Sequence, residues 1–267
     1  MLDHELTLRL GLFALVFGAL AAWETLAPRR PGRLPRSRRW TTNLGAAALN
    51  SLLLRLALPT TAIGLAALAQ SEGWGFFNRL DVALALSFVL SVALLDLVIY
   101  LQHVLFHAVP MLARLHQAHH ADPEFDATTG VRFHPFEILL SMMIRLAAIA
   151  ALGAPPLAVL AFELLLNLTA VFNHGNVGLP ERLDRALRWG LVTPDMHRIH
   201  HSTLERERNS NYGFCLAVWD RLFGTYTVAP AGGQSGMRIG LESFPDAAIS
   251  TSFGGMLSIP FRGPAMR

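Results

Sequence analysis

Histidine is concentrated in one region of the sequence, where its spacing indicates metal chemistry. Ten of the eleven histidines lie between residues 103 and 201, and His4 stands apart from them. Nine of the ten form four groups along the chain: His103 and His107; His116, His119 and His120; His174; and His197, His200 and His201. Imidazole nitrogens bind iron, zinc, copper and nickel, so these groups are candidate ligands, although the residue type does not select one metal.

The spacing within the groups places the imidazoles on shared helix faces. An α-helix turns by about 100° per residue, so residues three or four positions apart point in the same direction. His103 and His107 are four residues apart, and the groups that begin at His116 and His197 repeat the relation. Nine ligands are too many for one ion. Divided between two ions they supply four or five each, which leaves room for water or oxygen.

A structural role and a pH-sensing role for histidine also stay open at the level of the sequence. A single histidine on an apolar helix is usually a hydrogen-bonded structural residue, and this role suits His4 and His134, which stands alone in "RFHPFE". A cluster of histidines can also act as a pH sensor, because imidazole titrates near neutral pH. The repeated spacing, close to apolar stretches where polar groups are costly, favours a metal site.

The composition is that of a membrane protein. Of the 267 residues, 52% are hydrophobic and 15% are charged, whereas a soluble domain has about 25% charged residues. Every basic residue is arginine, a bias typical of a GC-rich genome. We expect the protein to lie in a bacterial inner membrane. The arginines do not interleave with aromatic residues on a polar face, which argues against nucleic-acid binding. The single cysteine, Cys215, excludes an internal disulfide and a thiolate metal site.

Apolar stretches long enough to cross a bilayer, which takes about 20 residues, occur three times. They cover residues 6–26, 43–70 and 80–107. Arg55 interrupts the second stretch, and we expect its side chain to be buried among the helices. Residues 138–152 and 157–173 are shorter and are separated by "GAPP". They predict a helical hairpin that enters and leaves the membrane on the same side.

The arginine-rich run "PRRPGRLPRSRR" at residues 28–39 sets the predicted orientation. A run of this kind beside a membrane helix marks a cytoplasmic loop. With this loop inside the cell, the third span ends on the cytoplasmic side near His107, and the hairpin returns there near His174. We therefore expect an all-α integral membrane protein. It has about three spanning helices and a same-side hairpin, capped by a cytoplasmic, histidine-rich helical domain.

The histidine groups and their flanking residues together resemble a known family. The matching segments are "DLVIYLQHVLFH" (96–107), "HQAHH" (116–120), "RFHPFE" (132–137), "FNHGNVG" (172–178), "VTPDMHRIHHS" (192–202) and "NYGFCLAVWDRLFGTY" (211–226). They are similar to motifs of the fatty acid hydroxylase superfamily, which contains sterol desaturases, C4-methyl sterol oxidases, and sphingolipid and fatty acid hydroxylases. The motifs are specific to the superfamily and do not select a substrate.

The resemblance implies a non-haem site for two iron ions, with O2 as co-substrate and zinc as a possible substitute metal. The metal ligands, which are also the catalytic residues, would be His103, His107, His116, His119, His120, His174, His197, His200 and His201. Two positions depart from the family pattern. Ala170 stands where some members have another histidine, and Val104 stands where an arginine is usual.

Four further residues are predicted to support the metal site without binding metal. Asp96 lies seven residues before His103 on the same helix face, and an acid behind a ligating imidazole accepts its second N–H. Asn176 and Asp195 flank other histidines and are weaker candidates for the same role. His134 matches an Arg-x-His-Pro motif of the family and is placed near the site.

The implied function is the O2-dependent oxidation of an unactivated C–H bond in a membrane lipid. The lipid would be a sterol, a fatty acyl chain, a sphingolipid or another membrane lipid, and hydroxylation is favoured over desaturation. The electrons would come from a separate donor protein. Two alternatives stay open: a non-catalytic membrane metal-binding protein, and a di-zinc hydrolase whose base would be Asp96, Glu137 or Asp195. The oligomeric state is not set by the sequence.

These expectations divide the chain into three parts. Residues 1–79 contain the first transmembrane helices and the basic loop, residues 80–228 form the catalytic domain with the histidine motifs, and residues 229–267 form an irregular tail.

Overall fold

The computed structural model describes residues 5–80 and 82–266, so that His4 lies outside the described residues. The first half contains α1 (Glu5–Leu26), α2 (Arg36–Ala57), α3 (Ala62–Ser71), α4 (Phe76–Arg79), α5 (Leu84–Ala108), α6 (Pro110–His120), α7 (Pro135–Leu152) and α8 (Pro156–Asn173). The second half contains α9 (Glu181–Leu187), α10 (Pro194–His200), α11 (Glu205–Arg208), α12 (Val218–Leu222), α13 (Gly233–Gly236), α14 (Ala247–Ser250) and α15 (Phe253–Ser258). The predicted all-α architecture is confirmed.

Five segments of the described chain are long and apolar enough to cross a membrane: Thr7–Leu26, Arg36–Arg79, Leu84–Ala108, Pro135–Leu152 and Pro156–Asn173. The second is interrupted where the sequence predicted one continuous span. Leu58 adopts extended backbone before Pro59, which has no N–H to continue the helix, and the Thr61 side chain caps α3. The prediction that Arg55 is buried was also wrong, because its side chain is exposed.

The predicted hairpin is present as α7 and α8. Helix α7 ends at Gly153, whose φ of +66° is the left-handed conformation that glycine adopts easily. Pro155 and Pro156 then start α8, where a missing N–H costs nothing. The hairpin therefore begins and ends at the same level of the molecule, where the histidines lie.

Helices α3, α5, α7 and α8 share the largest apolar core. Leu95 and Ile99 of α5 pack there with Ile149 of α7 and Phe162 of α8. Helix α3 presents the buried small residue Ala66 to this core. In lipid, helices associate through close packing because no water is displaced, and small residues allow that close approach. The core fixes α5, α7 and α8, the membrane helices that lead to the histidines.

The arginine-rich loop packs against the histidine-rich region instead of extending into solvent. Arg39 is buried and donates to Asp122 at 2.7 Å and to Asp126 at 2.6 Å. Arg29 pairs with Asp195 at 3.1 Å. The loop and the histidines therefore lie on the same side of the membrane helices, as the topology required. That this side is cytoplasmic stays a prediction.

The C-terminal tail covers the outer side of α6. It was expected to be irregular, yet it contains the short helices α13, α14 and α15. The Gln117 amide donates to the Ile259 carbonyl at 3.0 Å and accepts from the Met266 N–H at 3.2 Å. Both bonds are side chain to backbone, so this buried glutamine helps to attach the tail to the helix that carries three histidines.

Candidate metal centre

The nine histidines named from the sequence come together in the structure. His103 and His107 lie near the end of α5, and α6 carries the second group through to its last residue, His120. His174 and His201 are the residues directly after α8 and α10. The ends of four helices therefore converge. All nine side chains are buried.

Their nitrogens form two separate groups within the described residues. We call the first the five-histidine group: His103, His107, His116, His120 and His200. We call the second the four-histidine group: His119, His174, His197 and His201. In each group one nitrogen from every residue lies within 4.8 Å of the others. The groups are adjacent, since the His120 and His201 rings are stacked with centroids 4.5 Å apart.

Backbone carbonyl groups hold the Nδ1 atoms of several imidazoles. His103 Nδ1 lies 2.7 Å from the Tyr212 carbonyl oxygen, His119 Nδ1 lies 3.0 Å from that of Arg132, and His200 Nδ1 lies 2.8 Å from that of Ser210. A carbonyl oxygen can only accept a hydrogen bond, so each Nδ1 carries the proton. Each Nε2 is then left with a lone pair, which is the form that binds metal.

His174 and His116 are held in the same way by different acceptors. His174 Nδ1 lies 2.8 Å from the Ala170 carbonyl oxygen and 2.7 Å from Asn173 Oδ1. His116 Nδ1 lies 2.6 Å from a carboxylate oxygen of Glu137. Second acceptors of this kind fix the orientation of ligating imidazoles and raise their basicity.

Three pairs of Nε2 atoms lie close together, and a pair in which both atoms carry lone pairs needs a positive charge between them. The His103–His116 pair is 3.1 Å apart, the His119–His174 pair 3.2 Å and the His174–His197 pair 3.1 Å. In the His119–His174 pair both protons are on Nδ1, so neither Nε2 has a hydrogen to donate. Two buried lone pairs at this distance are unfavourable unless a cation binds both.

Other nitrogens in the centre lack partners. Among the described residues, Nε2 of His107 and His200 and both ring nitrogens of His120 and His201 make no hydrogen bond. Leaving a buried polar group without a partner costs about 1–3 kcal/mol. A cluster of such groups in a well-packed centre is the pattern expected of metal ligands.

Burial also keeps the imidazoles neutral. Desolvation lowers the pKa of His174 to about 3. Desolvation, followed by repulsion from neighbouring imidazoles such as His201, holds the pKa of His119 well below its usual value. Neutral imidazole is the ligating form, so the donor set fits transition-metal ions.

Two buried arginines position the segments around the centre. Arg132 of the "RFHPFE" motif donates to the Ala118 carbonyl at 2.8 Å and to the Ser250 carbonyl at 2.7 Å, which joins α6 to the tail. Arg198 lies between two histidines on α10 and pairs with Asp195. Its guanidinium also donates to the Gly175 carbonyl at 3.1 Å, beside His174.

A cavity of about 400 Å³ opens beside the histidines. His103, His116, His119 and His197 form part of its wall. Its other lining includes many apolar side chains, among them Phe106 and Leu166 from the membrane helices. A cavity of this size and character is typical of a small-molecule site. Imidazoles of both histidine groups therefore line the same cavity.

The prediction that Asp96 accepts a hydrogen bond from an imidazole was wrong. Its carboxylate accepts the backbone N–H groups of Cys215 at 3.2 Å and Leu216 at 3.1 Å, and the Trp219 indole N–H at 2.9 Å. Asp96 therefore fixes residues 215–219, which follow the Tyr212 carbonyl that accepts from His103. The sequence placed Asp96 on the correct helix face but could not show the segment that packs against it.

Asn176, Asp195 and His134 also lie outside the two groups. Asn176 holds the basic loop, accepting from the Arg30 N–H at 3.1 Å and donating to its carbonyl at 2.8 Å. Asp195 pairs with Arg29 and Arg198. His134 accepts from the Phe136 N–H at 3.2 Å as the N-cap of α7, and its other nitrogen lies 3.3 Å from the Leu257 carbonyl oxygen. All three position chain segments and not imidazoles.

Glu137 is the acid that lies behind an imidazole. From the sequence it was considered only as the base of a hydrolase. It stands in the first turn of α7, and its place in "RFHPFE", next to a histidine motif and in a region with few acids, was the available signal. The acceptors of the remaining imidazoles, apart from Asn173 and Asn209, are backbone carbonyls, for which no residue type is diagnostic.

Comparison with known proteins decides the family. The model of the fatty acid hydroxylase family matches residues 88–225, which is half of the chain and contains all nine clustered histidines. The chain belongs to the fatty acid hydroxylase family. No solved structure is significantly similar to it.

Curated relatives of this family member are named for lipid oxidation. The chain is 30% identical over 149 residues to an ornithine lipid hydroxylase of Rhizobium tropici, covering 55% of this chain and 44% of that protein. It is 28% identical over 179 residues to an alkylglycerol monooxygenase of Xenopus tropicalis, covering 62% and 39%. It is 29% identical over 153 residues to a cholesterol 25-hydroxylase of Rattus norvegicus, covering 56% and 50%. The aligned part is half or less of each of these relatives.

Proposed function

We propose that this chain is a membrane-bound, O2-dependent lipid hydroxylase that holds two iron ions. The five-histidine group would bind one ion and the four-histidine group the other. The observation that carries the proposal is the set of Nε2 pairs 3.1–3.2 Å apart, which include the His119–His174 pair with both Nδ1 atoms held by carbonyl oxygens. Family membership and the lipid hydroxylases among its relatives support the choice of reaction.

The side chains present fit iron and do not exclude zinc. The donor set consists of imidazoles alone, and imidazole binds both metals well. Bound iron would supply the redox chemistry with O2 that an unactivated C–H bond requires. The family and its relatives are the reason to propose iron.

The work of the protein is to orient the ligands and exclude water. The backbone carbonyl groups of Tyr212, Ser210 and Arg132 orient three of the imidazoles, and a backbone carbonyl cannot rotate away as a side chain can. Glu137 fixes His116 and is itself buried at the cavity wall. A rigid set of donors that is in place before the reaction lowers the cost of reorganisation during it.

The cavity presents the lipid to these ligands. Its lining includes apolar side chains from α5, α7 and α8 such as Ile99, Ile138 and Leu166, so a hydrocarbon segment is bound without exposing it to water. The imidazoles of His103, His116, His119 and His197 form the wall at which a C–H bond of the lipid would be attacked. Exclusion of water also protects a strong oxidant from side reactions.

The finer points of the proposal concern product, electrons and location. Hydroxylation is proposed over desaturation, as the names of the relatives favour it. The electrons are proposed to come from a separate donor protein. The arginine-rich loop, which packs beside the metal centre, supports placing the site on the cytoplasmic side of a bacterial inner membrane.

The proposal is tested by metal content and oxygen consumption together. Protein purified from iron-supplemented cells is expected to contain two iron ions per chain. With a chemical reductant it should consume O2 only when the correct lipid is added, and the product should gain the mass of one oxygen atom. A product lighter by two hydrogen atoms would mean desaturation. Native zinc with no oxygen consumption across a broad lipid panel would contradict the proposal.

Two histidine variants sharpen this test. His119→Ala removes a ligand of the four-histidine group and should abolish oxygen consumption while the protein still inserts into the membrane. His134→Asn is the matched control, because asparagine also accepts a hydrogen bond at a helix N-cap and His134 lies outside both groups. The control should keep its metal. Retained activity in His119→Ala would refute the assignment.

A further inference from the structure

A cluster of charged side chains lies in the membrane helices and lines the same cavity as the histidines. It consists of Arg9 of α1, Arg145 of α7 and Glu163 of α8. Arg145 donates to Glu163 at 3.2 Å, and Arg9 donates to the other oxygen of the same carboxylate. The side chains of Arg9, Arg145 and Glu163 are 21%, 14% and 6% exposed, respectively.

The charged cluster is far from the metal centre. Glu163 precedes the end of α8 at Asn173 by ten residues, and Arg145 follows the start of α7 at Pro135 by ten residues. At a rise of 1.5 Å per residue, ten residues of helix correspond to about 15 Å. The cavity therefore has imidazoles at one end and charged groups at the other, about 15 Å away along the two helices.

The wall between the two ends is largely apolar. Ile99 and Phe106 of α5, Ile138 and Met142 of α7 and Leu166 of α8 line it. The cavity thus has polar groups at both ends, imidazoles at one and charged side chains at the other, with a largely apolar body between them.

Stability alone does not account for the charged cluster. Charged groups inside a membrane are costly and usually functional. A buried ion pair can often be replaced by apolar residues without loss of stability, so it is weak evidence for a structural role. A guanidinium has five N–H donors, and within the described residues the Nε atom of Arg145 is buried without a hydrogen-bond partner. The cluster therefore has donor capacity at the cavity end.

We propose that Arg9, Arg145 and Glu163 bind the polar oxygen group of an amphipathic lipid, an acid or an alcohol. Its apolar body would follow the cavity, and the carbon that is oxidised would lie about 15 Å from the polar group. A lipid that entered with its hydrocarbon end first would bring that end against charged side chains. The inference rests on the proposed function and adds to it the substrate class and the position of attack.

The test is a binding comparison that requires no turnover. The purified protein, with its native metals and without O2, is equilibrated with tritiated hexadecanoic acid, hexadecanol or hexadecane. The acid or the alcohol should bind at least about tenfold more tightly than the alkane, the effect expected of a hydrogen bond to a charged group. Equal affinity for all three would overturn the inference.

Variants separate recognition from folding. Arg145→Gln should reduce the preference for the oxygen-bearing probe to near parity and leave hexadecane binding unchanged. Glu163→Gln removes a negative charge and should increase binding of the acid but not of the alcohol. Arg55→Gln is the matched control, since Arg55 is an exposed arginine of α2 that does not itself line the cavity. An unchanged preference in both cluster variants would overturn the inference.

The outcomes also distinguish this inference from the proposed function. If the wild-type protein consumes no O2 with any lipid, the proposed function fails, and the binding comparison still reports on the charged cluster. If the wild-type protein hydroxylates a lipid but the cluster variants keep its position of attack and its KM, only the inference fails. Loss of the cluster should scatter the position of attack, an effect that a purely structural role would not produce.

Discussion

Replacing Gly130 with alanine is expected to weaken metal binding in the four-histidine group without altering a histidine. Gly130 lies in a 3-10 turn, Thr129–Val131, that packs against the end of α8. A Cβ atom at this position would lie 2.3 Å from the Ala170 carbonyl oxygen and 3.2 Å from His174 Nδ1. These two atoms form the 2.8 Å hydrogen bond that orients the His174 imidazole, so the new methyl group must displace it.

The size of the effect follows from the contacts. Forcing a methyl group into a packed site costs about 1–3 kcal/mol of folding stability. Loss of a residue that orients a ligating imidazole reduces metal affinity by about 10–100-fold. His174 Nδ1 keeps a second acceptor in Asn173 Oδ1 at 2.7 Å. We therefore expect the lower end of that range, about tenfold, together with a lower Tm.

Chelator competition measures this affinity, with metal content followed by elemental analysis at each chelator concentration. Gly190→Ala is the matched control, because a Cβ atom there would have no neighbour within 4 Å. The control should match the wild type in affinity and Tm. If Gly130→Ala folds and keeps wild-type metal affinity, the Ala170 carbonyl does not orient His174 and the prediction is refuted.

Three further predictions concern the acids and the metals. Glu137→Gln should lower metal affinity at the five-histidine group by about 10–100-fold and leave the four-histidine group loaded. A chelator should then remove the metal of the five-histidine group at a lower concentration than the metal of the four-histidine group. Asp96→Asn should lower Tm, since an amide cannot accept the same hydrogen bonds from Cys215, Leu216 and Trp219, while folded protein keeps its full metal content. Complete metal removal should lower Tm; zinc should restore Tm but not oxygen consumption. Thermal scans and metal analysis check the first two, and thermal scans with an oxygen-consumption assay check the third. A Tm independent of metal would contradict the last.

Helix geometry explains why the metal-binding face could be predicted. The spacing of His116, His119 and His120 fixes their directions on α6 regardless of the rest of the fold. Likewise, "GAPP" predicted the turn between α7 and α8, because its glycine and prolines act locally. The division of the nine histidines into groups of five and four required the structure, since it sends the adjacent residues His119 and His120 to different groups.

Contacts between residues distant in the sequence determine which groups hold the imidazoles and why Arg39 of the arginine-rich run is buried, and the sequence pattern does not show these contacts. Asp96 and Glu137 are both acids near histidines, and only the packing of α7 beside α6 brings Glu137 to His116. The sequence assigned the arginine-rich run to a cytoplasmic loop and did not show its partners. Arg39 is buried because Asp122 and Asp126, more than eighty residues away, form ion pairs with it. Carbonyl acceptors such as that of Tyr212 depend on backbone position, which no side-chain pattern reports.

The most direct test of the central claim is the source of the oxygen atom in the product. Purified protein with two iron ions per chain would be supplied with reductant, membrane lipids and isotopically labelled O2, and the lipids analysed by mass spectrometry. We predict one labelled oxygen atom in one lipid class, absent from His119→Ala and from zinc-loaded protein. Label arriving from water instead of O2, or equal activity in the zinc-loaded protein, would contradict the claim.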